Sequence, residues 1–91
     1  MAINDLYQTI LSRKNNPAEG SYTASLFAQG LPRMAQKVGE EGTEVVVAAL
    51  SQEDARLVEE IADLTYHVLV LMAARGLAPE DVAKELEKRR K

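Results

Sequence analysis

The chain has 91 residues, a net charge of −3, only 4% aromatic residues and no cysteine. These values predict one domain over residues 1–91 with a modest aliphatic core, exclude disulfides and thiolate zinc sites, and argue against a nucleic-acid partner. The N-terminus lacks a basic-then-apolar leader, and the longest apolar run, residues 68–74, is far below the roughly 20 residues that cross a bilayer. We therefore expect a soluble, cytoplasmic protein with no membrane partner.

The first third of the chain predicts two helices separated by a loop. Residues 3–14 place apolar side chains on one helical face. The turn-forming residues 15–20 then end this helix. A short second helix is expected to start after an N-cap at Ser21 or Thr23 and to end at Gly30.

A longer third helix is predicted for residues 32–50, because a proline suits the first helical turn. Its expected core-facing residues are Met34, Ala35, Val38, Gly42, Val45 and Ala49. Gly39 and Gly42 each cost a helix about 1 kcal/mol relative to alanine, so they indicate close approach of a ligand or of another helix. Residues 45–47 are β-branched, but they lie inside a longer helical period and have no second strand to pair with.

A fourth helix is expected after residues 51–54, which form a capping-box pattern. It carries an apolar seam spaced by four, three, four and three residues: Leu57, Ile61, Leu64, Val68 and Leu71. Gly76 should end this helix, and Pro79 should begin a last one. The predicted fold is all-α with four or five helices. The two central helices are too apolar for a small monomer to cover, so we expect a homo-oligomer, most simply a dimer that completes a helical bundle.

Two acidic pairs lie on the central helices. Glu41 and Glu44 are three residues apart, as are Glu60 and Asp63, so each pair projects from one helical face. Charge runs usually form solvated faces, but facing pairs about 4–5 Å apart would repel by roughly 3–4 kcal/mol per pair at an effective dielectric near 20. A divalent cation would relieve that repulsion, and oxygen-only ligands favour Mg²⁺ or Mn²⁺ over zinc. The predicted chemistry is metal-assisted hydrolysis of a phosphoanhydride.

Other polar residues near these pairs leave two interpretations open. His67 lies on the stripe of Glu60 and Asp63, where a lone histidine is more often a structural hydrogen-bonding group than a substrate contact. Tyr22 and Tyr66 are able to stack on a base or sugar, although core packing is the commoner role of tyrosine. No Walker-type loop or Rossmann fingerprint is present, so phosphate binding must come from metal and basic side chains.

Three motifs together resemble the phosphoribosyl-ATP pyrophosphatase family of histidine biosynthesis. They are Ser21-Tyr22-Thr23, then Lys37-Val38-Gly39-Glu40-Glu41 with Glu44, then Glu60-Ile61-Ala62-Asp63-Leu64 with Tyr66-His67. The resemblance covers nearly the whole chain. It also places the chain among the all-α, MazG-like nucleotide pyrophosphohydrolases, whose signature is E-x-x-E followed by E-x-x-D.

This resemblance implies Mg²⁺-dependent hydrolysis of phosphoribosyl-ATP to phosphoribosyl-AMP and pyrophosphate by a homo-oligomer. The metal ligands it implies are Glu41, Glu44, Glu60 and Asp63, with Glu40 as a further ligand or a water-orienting base. The substrate contacts it implies are Ser21, Tyr22, Thr23, Lys37, Tyr66 and His67. Gly42 stands where alanine is common and Thr65 where leucine is common, both outside the acidic set. No fused cyclohydrolase domain is present, which implies the stand-alone form.

Two other functions remain open at this point. A MazG-like house-cleaning enzyme would use the same metal to hydrolyse another nucleotide, although the motifs at residues 21–23 and 66–67 favour phosphoribosyl-ATP. A non-catalytic helical interaction module would bind metal equally well after Glu44→Gln or Asp63→Asn.

Overall fold

The computed structural model describes residues 2–90, and these residues form five α-helices and no strand. The helices are α1 (Ala2–Asn15), α2 (Tyr22–Gln29), α3 (Leu31–Ser51), α4 (Asp54–Ala74) and α5 (Pro79–Arg89). The prediction of an all-α fold with four or five helices is confirmed, and residues 45–47 are helical as expected. Within residues 2–90, no helix combines the length and apolarity that crossing a membrane requires.

Three of the predicted helix ends are built as the sequence indicates. The Ser21 hydroxyl accepts a hydrogen bond from the backbone N–H of Ala24 at 3.1 Å and so caps α2. Gly30, with φ +94°, ends α2 and directly precedes α3. Gly76, with φ +72°, follows α4, and the N–H of Leu77 bonds back across it to the Met72 carbonyl at 2.8 Å. Glycine adopts this left-handed conformation without the penalty that a side chain brings.

The capping-box prediction at residues 51–54 is wrong. Ser51 is the last residue of α3, and its hydroxyl donates to the Val47 carbonyl at 2.7 Å. Glu53 occupies the N-cap of α4 without a side-chain capping bond. The connection between α3 and α4 is only two residues long, so the serine completes the preceding helix by bonding to a carbonyl one turn earlier.

The core lies around the C-terminal half of α4. It consists of Tyr7, Ile10, Leu26, Met34, Leu69, Val70, Met72 and Ala73. The Tyr7 hydroxyl donates to the Leu77 carbonyl, and the Lys14 ammonium donates to the Ala73 carbonyl at 2.8 Å, so both fix α1 to the end of α4. Because α1 and α2 cover this half only, the paired N-terminal half of α4 and C-terminal half of α3 remain open to solvent.

The predicted apolar surfaces of α3 and α4 are only partly covered within the chain. Met34 is buried, but Ala35 and Ala49 are exposed, while Glu41 and Ala48 take buried positions instead. On α4, Ile61 is 45% exposed. A Cβ added to Gly39 or Gly42 would meet no atom within 4 Å, so no helix among residues 2–90 approaches them closely.

Exposed or half-buried apolar side chains of α1, α4 and α5 make up what we call the apolar face. It comprises Ile3, Val58, Ile61, Val68, Val82 and Leu86. Part of it is a groove of about 440 Å³ between α1, α4 and α5. Ile61 follows the buried Glu60 by about 100° around the helix, whereas Asp63 lies about 60° from Glu60 in the other direction. The acidic side chains and the apolar face therefore lie on opposite sides of the α3–α4 pair.

Candidate active site

Three carboxylates from α3 and α4 converge between the two helices. One oxygen each of Glu41, Glu60 and Asp63 lies within 4.8 Å of the others. Glu41 and Glu60 are buried, with 7% and 5% of their surfaces exposed, whereas Asp63 is open to solvent. The antiparallel hairpin places these residues opposite one another, as the two acidic stripes of the sequence predict. With Glu44, these residues form what we call the acidic cluster.

Glu44 belongs to the same cluster although it is exposed. Its carboxyl lies within hydrogen-bonding reach of Glu41 and Glu60, and the negative charges of both act on it as well. The bond to Glu41 and then that to Glu60 contribute most to raising the pKa of Glu44 to about 7. Such a shift is the response of a carboxyl placed among like charges.

Each buried carboxylate has one cation four residues earlier on its own helix. Lys37 Nζ lies 3.3 Å from Glu41 Oε1, and Arg56 Nη2 donates to Glu60 Oε1 at 3.0 Å. Burial acts to lower the pKa of Lys37, but the bond to Glu41 and the nearby negative charges outweigh it and raise that pKa. Two cations offset two of the four carboxylates, so the cluster keeps an excess of negative charge.

The donor set fits a hard divalent cation. Glu41 Oε2 is buried and has no hydrogen-bond partner, an arrangement that costs free energy unless a positive group lies against the oxygen. The nearby ligand atoms are all carboxylate oxygens, which suit Mg²⁺ or Mn²⁺. The acidic cluster could therefore hold a metal ion.

Glu40 lies at the rim rather than in the cluster. Its carboxylate accepts a hydrogen bond from Gln36 at 2.9 Å and lies 3.5 Å from Lys37 Nζ. The bond from Gln36, followed by the charge of Lys37, lowers the pKa of Glu40. The structure thus brings together four of the five acidic residues that the sequence singles out.

An aromatic group, formed by Tyr22, Tyr66 and His67, lies beside the acidic cluster. The rings of Tyr22 and Tyr66 are stacked with centroids 6.2 Å apart, and the His67 ring meets both edge-on. His67 Nδ1 donates to the Asp63 carbonyl at 2.7 Å, and Nε2 forms a hydrogen bond with the Tyr22 hydroxyl at 3.0 Å. Thr23 bonds to the Tyr66 hydroxyl, and burial raises the pKa of Tyr66.

Comparison with known proteins decides the family. The family model described as phosphoribosyl-ATP pyrophosphohydrolase matches residues 3–90. The chain is 53% identical over 89 residues to phosphoribosyl-ATP pyrophosphatase of Sulfurisphaera tokodaii, covering 98% of this chain and 95% of that protein. It is 54% identical over 88 residues to the Pelotomaculum thermopropionicum protein of the same name, covering 97% and 90%. The chain belongs to the phosphoribosyl-ATP pyrophosphohydrolase family. The resemblance inferred from the motifs is confirmed.

The residues that the motifs single out for substrate binding lie in different parts of the site. Tyr22, Thr23, Tyr66 and His67 lie together, and Lys37 lies next to the acidic cluster. Ser21 is different, because its hydroxyl is engaged in capping α2.

Arg56 is a residue of the site that the sequence motifs do not single out. Its guanidinium bonds to both Glu59 and Glu60 and lines a cavity next to the cluster. The signal for its position was the four-residue spacing to Glu60, which places both side chains on one helical face.

The raised pKa of Glu44 predicts how the stability of the protein without added metal depends on pH. The folded state holds the proton up to about pH 7, whereas the ordinary pKa is 4.5. The contribution of Glu44 to folding is therefore fully present below pH 4.5 and lost as pH rises through 7. After chelator treatment, the Tm of the native protein minus that of Glu44→Gln should fall across this window. A Tm difference that is independent of pH would contradict the prediction.

Proposed function

We propose that this protein hydrolyses phosphoribosyl-ATP to phosphoribosyl-AMP and pyrophosphate, the second step of histidine biosynthesis. The observation that carries the proposal is the convergence of Glu41, Glu60 and Asp63, with one buried Glu41 oxygen left without a partner, in a chain of this family. Glu41, Glu44, Glu60 and Asp63 would hold Mg²⁺, for which Mn²⁺ can substitute.

The reaction joins a water oxygen to phosphorus and breaks one phosphoanhydride P–O bond. Bound Mg²⁺ would neutralise phosphate charge and lower the pKa of an attacking water. The acidic cluster supplies carboxylates to take the water proton. Lys37, whose ammonium group lies 3.3 Å from Glu41 at the edge of the cluster, would contact a phosphate oxygen.

The aromatic group is suited to bind the nucleoside part of the substrate. Tyr22 is 51% exposed, so the stacked pair that it forms with Tyr66 offers a ring surface to a ligand. The hydrogen bond between Tyr22 and His67, and that between Thr23 and Tyr66, fix the orientation of both rings before substrate arrives. A base stacked there would lie beside the carboxylates that hold the metal.

The apolar face supports assembly into a homodimer. Among the described residues, more large apolar side chains are exposed than are buried, and contiguous exposed apolar surface marks interaction sites. A second copy packed against the α3–α4 pair would cover this surface and complete a helical bundle. Since the acidic cluster lies on the opposite side of the pair, it would stay accessible to substrate.

The substrate assignment is tested by turnover of a nucleotide panel. With Mg²⁺, kcat/KM for pyrophosphate release from phosphoribosyl-ATP should exceed that for each common dNTP by about 100-fold or more, as expected when a site contacts groups that a competitor lacks. Faster turnover of a dNTP would indicate a house-cleaning nucleotide pyrophosphatase instead. Heat-treated protein and a chelator-treated sample serve as controls for contaminating phosphatases.

A further inference from the structure

A small cavity lined mainly by polar residues adjoins the acidic cluster on the side of the α3–α4 turn. It has a volume of about 200 Å³ and is lined by Glu44, Val47, Gln52, Arg56 and Glu60. It shares Glu44 and Glu60 with the cluster, so a ligand group bound there would also adjoin the metal ligands. Its volume is below the roughly 300–1,000 Å³ of sites for drug-sized molecules. It therefore suits a small polar group rather than a nucleoside.

Arg56 is the cation of this cavity. Its Nη1 donates to Glu59 at 2.6 Å and its Nη2 to Glu60 at 3.0 Å. A guanidinium has five N–H donors, so three remain after these two bonds. The side chain is 53% exposed, which leaves those donors accessible. Two carboxylates thus hold the guanidinium in place without using up its capacity to bind an anion.

The site has two chemically different ends. Along α4, His67 and the aromatic group lie at one end of the acidic residues, and Arg56 lies at the other, about 6 Å beyond Glu60 at the rise of an α-helix. Phosphoribosyl-ATP has a matching polarity, with a ring system at one end of its phosphate chain and the two departing phosphates at the other. If the ring system occupies the aromatic end, the departing phosphates extend towards Arg56.

We propose that Arg56 is a catalytic residue that binds the departing pyrophosphate in this cavity, with Gln52 as a second donor. The proposal rests on the proposed function for the identity of the substrate. Pyrophosphate is negatively charged and would lie next to four carboxylates. It therefore needs a positive group on the side turned away from the metal as well as the metal itself. The planar fork of a guanidinium matches two phosphate oxygens at once, which a lysine cannot do.

A simpler role for Arg56 would be to hold Glu60 in position for the metal. The two roles predict opposite results for Arg56→Gln. If Arg56 binds pyrophosphate, the variant should bind Mg²⁺ as well as the native protein or better, because a nearby positive charge is gone. If Arg56 only positions Glu60, the variant should bind Mg²⁺ more weakly and pyrophosphate normally at saturating Mg²⁺.

The experiment measures binding of Mg²⁺ alone and of pyrophosphate at saturating Mg²⁺ by calorimetry. Arg56→Gln should weaken pyrophosphate binding about 10- to 100-fold, as expected for loss of charge-assisted hydrogen bonds, and leave the binding of phosphoribosyl-AMP unchanged. Arg56→Lys should fall between the two proteins. Arg89→Gln is the matched control, because Arg89 donates to Glu85 at 3.0 Å with the same four-residue spacing on α5.

Unchanged pyrophosphate binding in Arg56→Gln, or a loss that only parallels a loss of Mg²⁺ affinity, would overturn the proposal. These binding measurements need no turnover. A native protein that binds pyrophosphate through Arg56 but does not hydrolyse phosphoribosyl-ATP would refute the proposed function and leave the pyrophosphate subsite standing. Hydrolysis of phosphoribosyl-ATP by the native protein, together with unchanged pyrophosphate binding in Arg56→Gln, would support the proposed function and refute the pyrophosphate subsite.

Discussion

Replacing Glu60 by glutamine should lower kcat/KM for phosphoribosyl-ATP by about 10³-fold or more. Partners one step removed from a metal already change affinity or activity by roughly 10- to 100-fold, and loss of a direct ligand should exceed that. Glutamine has nearly the shape of glutamate, so the buried position remains filled. It also removes one of the like charges acting on Glu44, so the folded structure should persist.

Glu59→Gln is the matched control for this variant. Glu59 adjoins Glu60 in sequence and bonds to the same Arg56 at 2.6 Å, but its side chain is 60% exposed. An exposed ion pair contributes at most about 1 kcal/mol, so kcat/KM should stay within a factor of about 5 of the native value. Steady-state rates of both variants, with circular dichroism to confirm folding, make the comparison. Equal decreases of kcat/KM in the two variants would show that the position of Glu60 in the acidic cluster is not required for catalysis.

Ile61→Asn should weaken self-association by about 100-fold or more, which corresponds to about 2.7 kcal/mol. Ile61 is 45% exposed on the apolar face, and a dimer formed through this face would bury it. An amide buried there without a partner loses both the apolar contact and the hydration of its polar group. Asparagine is neutral, so it leaves the charge of the acidic cluster unchanged. Analytical ultracentrifugation over a range of protein concentrations measures the dissociation constant.

Leu50→Asn controls for the general effect of removing an exposed aliphatic side chain. Leu50 is 83% exposed and lies about 200° around α3 from the buried Ala48, on the side turned away from α4. Its replacement should leave the dissociation constant unchanged. A native protein that is monomeric at every concentration, or equal effects of the two variants, would refute assembly through the apolar face.

The helices and the acidic cluster could be predicted because both depend on local spacing. Glu41 and Glu60 lie on helices that a short turn makes antiparallel, so two sequence intervals were enough to bring their carboxylates together. Gly30 and Gly76 marked helix ends for a similarly local reason, since each adopts a positive φ at a cap.

Features that depend on how one helix packs against another could not be predicted in the same way. Serine is a common N-cap residue, but whether Ser51 starts α4 or ends α3 depends on the length of the turn between these helices. The burial of Ala48 in place of Ala49 depends on the angle at which α4 crosses α3. The hydrogen-bond partner of His67 Nε2 is the Tyr22 hydroxyl, which comes from a helix 45 residues away in sequence.

Metal binding by the acidic cluster is tested most directly by titrating chelator-treated protein with Mn²⁺ and following free Mn²⁺ by electron paramagnetic resonance. The native protein should bind Mn²⁺ saturably, Asp63→Asn should bind it at least about 10-fold more weakly, and Mg²⁺ should compete for the same site. Equal Mn²⁺ binding by the native protein and Asp63→Asn, or full pyrophosphate release from phosphoribosyl-ATP in excess chelator, would contradict a metal-dependent site at these carboxylates.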